Sequence, residues 1–174
     1  TLQLQAYGAL AYGAKGLGWY KFISREVPIL AADDLGNWRG GPLNEFLEKS
    51  PNWEVMRRLN RKIQNLGPTM LKLRPDAVYH IGEVPDENRG PADGDLLKGM
   101  LSGTSFLVGE FTHEDDGARW MMIVNKDLKS SVSCRPDFRT PMKVQYLSPI
   151  TGELKDFPDP WYYLAPGQGV LLKL

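Results

Sequence analysis

"LRPDAVYHIG", residues 73–82, is where the chain changes its period. Upstream of it apolar residues return every three or four positions, and downstream they alternate. Pro75 sits in the switch, a residue that ends helical runs. This stretch divides the chain into residues 1–75, helical with one strand, and residues 76–174, which read as β, so the fold class is α+β.

Working back from the switch, Met56, Leu59, Ile63, Leu66, Met70 and Leu73 form an apolar stripe, with Arg57, Arg58, Arg61 and Lys62 on other faces. Ser50-Pro51 supplies an N-cap and a first-turn proline, so a long amphipathic helix runs from residue 51 to about 73. Gly67-Pro68 interrupts the run and argues against a coiled coil. "REVPILAADDLGNWRGGPLNEFLEK", residues 25–49, is a long connection. Before it, "KGLGWYKFI" reads as a buried strand. Leu2, Ala6, Ala9, Leu10 and Gly13 lie at helical spacing, and the small residues Ala6, Gly8, Ala9, Ala11 and Gly13 predict very close approach to a neighbour.

Working forward, short strands are expected at Ala77–Gly82, Thr104–Thr112, Ala118–Lys126, Ser130–Arg135, Met142–Leu147, Glu153–Phe157, Trp161–Leu164 and Gly169–Leu174. Gly117 in "HEDDGA" and Gly152 in "PITGE" mark hairpin turns with positive φ. Strands at this spacing predict an antiparallel sandwich or barrel.

Composition narrows the function classes. Of 174 residues, 21 are Lys or Arg and 21 are Asp or Glu, so the net charge is zero. That argues against a nucleic-acid partner or an anionic membrane. No apolar run approaches the roughly 20 residues of a membrane helix. Cys134 is the single cysteine, which excludes an intramolecular disulfide and a cysteine-based metal site. There is no phosphate loop, nucleophile elbow or HExxH motif, so no cofactor and no metal are expected. The chain opens at Thr1 with neither an initiator Met nor a signal pattern, as a mature or truncated product would.

A helix, a buried strand and a second helix cannot by themselves cover a parallel strand on both faces, so residues 1–75 read as the end of something larger. The expectation is the last unit of a (β/α)8 (TIM) barrel, with "GLGWYKF" as its last strand, followed by an antiparallel β-sandwich. The residues also resemble a family. "LQAYGALAYGAKGLGWYKF" is similar to the seventh helix and eighth strand of clan-A glycoside hydrolases, especially the β-galactosidase-like enzymes of family 42. "WEVMRRLNRKIQNLGPTMLKL" is similar to the helix that follows, and "MMIVNKD", "VQYLSPITGELKDF" and "YYLAPGQGVLLKL" to the small C-terminal β-sandwich. The resemblance spans nearly the whole chain. It implies hydrolysis of an O-glycosyl bond with retention by the full-length enzyme, a carbohydrate substrate, and an extracellular or periplasmic setting. It also implies that both catalytic carboxyls, which in retaining enzymes stand about 5 Å apart, precede Thr1. No catalytic residue is therefore assigned within the chain, which alone should be inactive, expose apolar surface, and aggregate or bind the missing N-terminal barrel portion.

Residues that could shape a sugar subsite lie at the end of the proposed last strand and in the loop after it. Trp19 offers a ring to stack on a sugar, and Tyr20 and Lys21 offer hydrogen bonds. Asp33, Asp34, Asn37, Trp38 and Arg39 are the types that line a polyol site. Packing inside a barrel is the competing reading for the aromatics. Glu114, Asp115 and Asp116 read as a solvated hairpin tip, His80 and His113 as structural or surface histidines, and Cys134 as a core residue. Two alternatives stay open: a carbohydrate-binding module using Trp120, Trp161, Tyr162 and Tyr163, and an interaction protein using the long helix.

Overall fold

The computed structural model describes residues 2–23, 41–44 and 46–174. Two helices, α1 (Leu2–Ala11) and α2 (Pro51–Met70), precede ten strands. These are β1 (Leu73–Ile81), β2 (Leu97–Met100), β3 (Phe106–His113), β4 (Arg119–Asn125), β5 (Val132–Ser133), β6 (Pro136–Phe138), β7 (Gln145–Leu147), β8 (Leu154–Asp156), β9 (Tyr163–Leu164) and β10 (Gly169–Lys173). Six of them form one antiparallel sheet in the order β1-β3-β4-β10-β7-β8, and β2-β6 and β5-β9 form two ribbons.

The six-stranded sheet is covered on both faces, and strand alternation assigns the residues. Leu107 and Phe111 of β3, Trp120, Met122 and Val124 of β4, and Leu171 of β10 pack with Ala6, Tyr7, Leu10, Leu59, Leu66 and Met70 of the helices. Val108, Met121, Ile123 and Leu172 face the other way, onto Leu97, Cys134 and Leu164 from the ribbon side. The central strand β4 is thus buried along both faces, which is why "WMMIV" is an unbroken apolar run. The helices share their core with the sheet.

The small residues of α1 do mark a close approach, and the partner is the sheet. Two strand glycines facing α1 make it possible. A Cβ on Gly109 would stand 2.1 Å from the Ala11 carbonyl oxygen, and one on Gly169 would stand 2.7 Å from the Tyr7 ring. The glycine within α1 is not the tight point, since a Cβ on Gly8 would meet Leu107 at an ordinary 3.9 Å. α1 ends with the Ala14 N–H donating to the Ala9 carbonyl at 3.0 Å and the Gly13 N–H to the Leu10 carbonyl at 2.9 Å, the paired bonds of a Schellman cap.

α2 starts as expected. The Ser50 Oγ accepts from the Asn52 N–H at 3.2 Å, Pro51 opens the first turn, and Met56, Leu59, Leu66 and Met70 are buried. Pro68 lies within the last turn and the helix stops two residues later. Leu73, expected to close the helical stripe, instead opens β1. That strand takes Pro75 because it is an edge strand whose register shifts between Pro75 and Ala77. The turns at Gly117 and Gly152 have φ of 69° and 72°, as expected.

Two expectations are corrected. Gly16–Phe22 is not a buried strand. It carries no ladder among the described residues, the adjoining Ile23 makes one isolated parallel bridge to Leu43, and Tyr20 and Phe22 are exposed. The physical reason is one-sided cover: Leu17 and Trp19 pack on the helix-side core while their alternating neighbours project away. Second, β2 and β6 were not expected. The expected mixed class holds: among the described residues two helices accompany a six-stranded antiparallel sheet and two antiparallel ribbons, and no barrel is seen among them. The Tyr20–Lys21 and Asp159–Pro160 peptide bonds are cis.

Candidate functional site

The segment from Lys15 to Ile23 holds the expected subsite residues that the structure describes, Trp19, Tyr20 and Lys21. Lys15 anchors the segment. Its Nζ donates to the Met70 carbonyl at 2.9 Å, the Leu71 carbonyl at 3.3 Å and the Leu73 carbonyl. α2 has no basic residue in its last turn, and Lys15 supplies that charge from across the chain. Four residues on, Trp19 is half-buried and its Nε1–H donates to the Asn60 Oδ1 of α2 at 2.9 Å. The indole packs against the helix-side core and ties the segment to α2. Tyr20 is 79% exposed and Lys21 is exposed. Asp33, Asp34, Asn37, Trp38 and Arg39 lie outside the described residues.

Beyond Lys21 the chain turns along the start of α2. Phe22 meets Trp53 edge-on at 6.1 Å, its carbonyl accepts from the Leu43 N–H at 3.1 Å, and Lys49 Nζ stands 5.1 Å over the Trp53 ring. Asn44 organises the turn below, its Oδ1 accepting from the Phe46 and Glu48 N–H groups at 3.0 and 2.9 Å. The result is a shallow depression of about 510 Å³ lined by Lys49, Ser50, Pro51, Trp53, Glu54 and Arg57. Among the described residues Glu54 is its one carboxylate. Hydrogen bonds from Arg57 and Arg58, all at 2.8 Å, hold its carboxyl down to about 2. The pairs are solvent-exposed and tie the first turns of α2 together.

Polar chemistry elsewhere is structural in its geometry. Glu110, 2% exposed, accepts from Tyr79 Oη at 2.8 Å and the Leu96 N–H at 2.7 Å, with Arg119 at 3.4 Å. Asp95 receives Arg89 through two nitrogens at 2.6 and 2.7 Å, and Arg89 holds its carboxyl below the usual carboxylate value. His80 faces the end of α1. The Tyr12 O–H donates to Asn88 Oδ1 at 2.7 Å, so the His80 Nε2–H donates to Tyr12 Oη at 3.0 Å, and Nδ1 accepts from Lys126 Nζ at 3.2 Å. Burial first and the Lys126 charge second push this imidazole below its ordinary value. His80 is thus the satisfied structural histidine that the sequence suggested. His113 Nδ1 stands 2.9 Å from Asp116, and Lys72 pairs with Asp115, so the acidic hairpin tip disperses its carboxylates. Cys134 is fully buried, its thiol pushed up to about 12 by burial. Among the described residues no group of His, Cys, Asp and Glu is placed to hold a metal ion, and no helix is long and apolar enough to cross a membrane.

Of the four aromatics weighed for a binding module, Trp120 is 4% exposed and faces the helices, and Tyr162 is tucked against Tyr146 and Phe157. Trp161 and Tyr163 are 74% and 58% exposed. Sequence alternation places these two on one side, but only the ribbon pairing shows which side is open. Comparison with protein families, curated proteins and solved structures returns no match.

Proposed function

We propose that this chain is the C-terminal part of a retaining glycoside hydrolase of the β-galactosidase-like kind, with both catalytic carboxyls on a preceding barrel portion. In this reading residues 2–70 are the last unit of the barrel and residues from 73 onward a closing β-sandwich. The observation that supports it is the helix–extended segment–helix order. α1 hands over to an aromatic segment tied to α2 through Lys15 and Trp19, and the exposed Tyr20, Phe22 and Ile23 stand at its far end. Apolar groups left exposed at the end of an extended segment suit a surface that another part of a protein covers. Tyr20 and Lys21 would then reach the sugar at the end of this extended segment, on the face where a barrel carries its active site, while Trp19 would position them by fixing the segment on Asn60.

The test is hydrolysis of 4-nitrophenyl β-D-galactopyranoside by the polypeptide of the complete reading frame, with the present chain alone as control. The full polypeptide should release 4-nitrophenol and the present chain should not, and Tyr20→Ala in the full polypeptide should raise KM more than it lowers kcat. A full polypeptide inert on this substrate and on the corresponding glucoside and xyloside would overturn the reading.

A further inference from the structure

The outer face of the β5–β9 ribbon carries two exposed rings. Val132 pairs with Leu164 and Ser133 with Tyr163, and the Cys134 N–H donates to the Tyr162 carbonyl at 2.7 Å. Alternation sends Leu164, Tyr162 and Cys134 inward, where all three join the ribbon-side core. It sends Tyr163 and Trp161 outward, beside Ser133 and Arg135. A single exposed aromatic needs no explanation, but two on one side of one ribbon, among hydrogen-bonding groups, make a surface.

The backbone that carries the rings is held in place. Tyr162, between them in sequence, is wedged by Tyr146 at 4.9 Å and Phe157 at 5.3 Å. The Trp161 N–H donates to the Pro158 carbonyl and Ser133 Oγ to the Pro160 carbonyl, both at 2.6 Å. A ligand landing on this face therefore has little backbone to order, which favours binding. Arg135 Nε lies 3.2 Å from Asp159 Oδ1, with both side chains partly exposed. The pair offers N–H donors and carboxylate acceptors with no net charge.

The geometry points to a carbohydrate-binding surface at Trp161 and Tyr163 that takes a neutral oligosaccharide or polysaccharide chain. The rings stack on the apolar C–H faces of successive sugars, and Arg135 and Asp159 take the flanking hydroxyls. Charge selects this occupant. A nucleic acid or acidic partner needs surplus cations, and here Arg135 is neutralised by Asp159. The polar flank of Ser133, Arg135 and Asp159 also suits hydroxyls better than the apolar core of a protein interface. The surface lies across the sheet from α1 and α2, and it stands whether or not the chain belongs to a glycosidase.

The test is native affinity electrophoresis of the chain through gels containing soluble galactan, xyloglucan, β-1,3-glucan or pullulan. At least one polysaccharide should retard it. Trp161→Ala and Tyr163→Ala should each weaken retardation at least tenfold without lowering Tm, and salt at about 0.5 M should leave it unchanged, since screening acts only on charge. Three results would overturn the proposal: no retardation in any gel, retardation that both variants retain, or rings whose loss alters only self-association in sedimentation.

Discussion

Two glycine-to-alanine changes at one interface should have opposite signs. In Gly109→Ala the new Cβ would stand 2.1 Å from the Ala11 oxygen and 2.9 Å from its carbonyl carbon, far inside the 3.4 Å at which ordinary contact begins. Both neighbours are backbone, so no rotamer change relieves the clash. The last turn of α1 must lift from β3, which loosens Ala11, Leu10 and Tyr7, all buried. Overpacking of this kind costs about 1–3 kcal/mol, and the upper end applies where only backbone can move. In Gly8→Ala the Cβ would meet only Leu107 at 3.9 Å, inside a helix where Ala is better than Gly by about 0.8–1 kcal/mol. For a chain of this size 1 kcal/mol moves Tm by about 2–4 °C. Differential scanning calorimetry should therefore show Gly109→Ala melting several degrees lower and Gly8→Ala a few degrees higher than the parent. Equal melting of parent and Gly109→Ala would refute the packing of α1 on the sheet.

Three further outcomes follow from the polar groups. Lys15→Met leaves the last carbonyls of α2 without their ammonium and should cost about 1–2 kcal/mol, read as a lower urea midpoint; an unchanged midpoint would contradict the cap. His80 is held below its unfolded value of 6.5, with Lys126, Tyr12, Glu83 and Arg89 around it, so the unfolded chain binds the proton more readily. Its contribution is full above about pH 6.5 and is lost as pH falls toward the depressed native value. His80→Gln should flatten the stability slope between pH 7 and 5, and an unaltered slope would count against the Lys126 contact. Cys134 should resist 5,5′-dithiobis(2-nitrobenzoate) at pH 8 until denaturant is added, because both burial and a thiol near 12 withhold the thiolate; fast native labelling would contradict its placement.

The parts of the fold legible in the sequence are those set by local rules. Ser50-Pro51 announces the start of α2 because capping is a contact within one turn. "WMMIV" announces a central strand because burial on both faces removes every polar residue. The turns at Gly117 and Gly152 were readable from residue type. The parts that depend on distant partners were not. β2 and β6 are four and three residues long, one with a register shift and the other opening on proline, so their alternation has no room to appear. "GLGWYKFI" has the composition of a buried strand, but whether a strand is buried depends on what lies alongside it. Lys15 reaches carbonyls more than fifty positions away, and no spacing rule reports that. The same limit applied to Trp161 and Tyr163, whose exposure follows from the pairing of β5 with β9.

The central claim is that this chain completes a larger sugar-cleaving enzyme, and the most direct measurement is the intact mass and sequence of the polypeptide as its source makes it. A (β/α)8 barrel takes about 250 residues, and only its last unit is proposed to lie here. The account predicts a polypeptide longer by about 200 residues or more on the N-terminal side of Thr1, bearing two glutamates at strand ends. A polypeptide consisting of these residues alone would contradict it and leave the Trp161–Tyr163 surface as the part of the carbohydrate reading still to be tested.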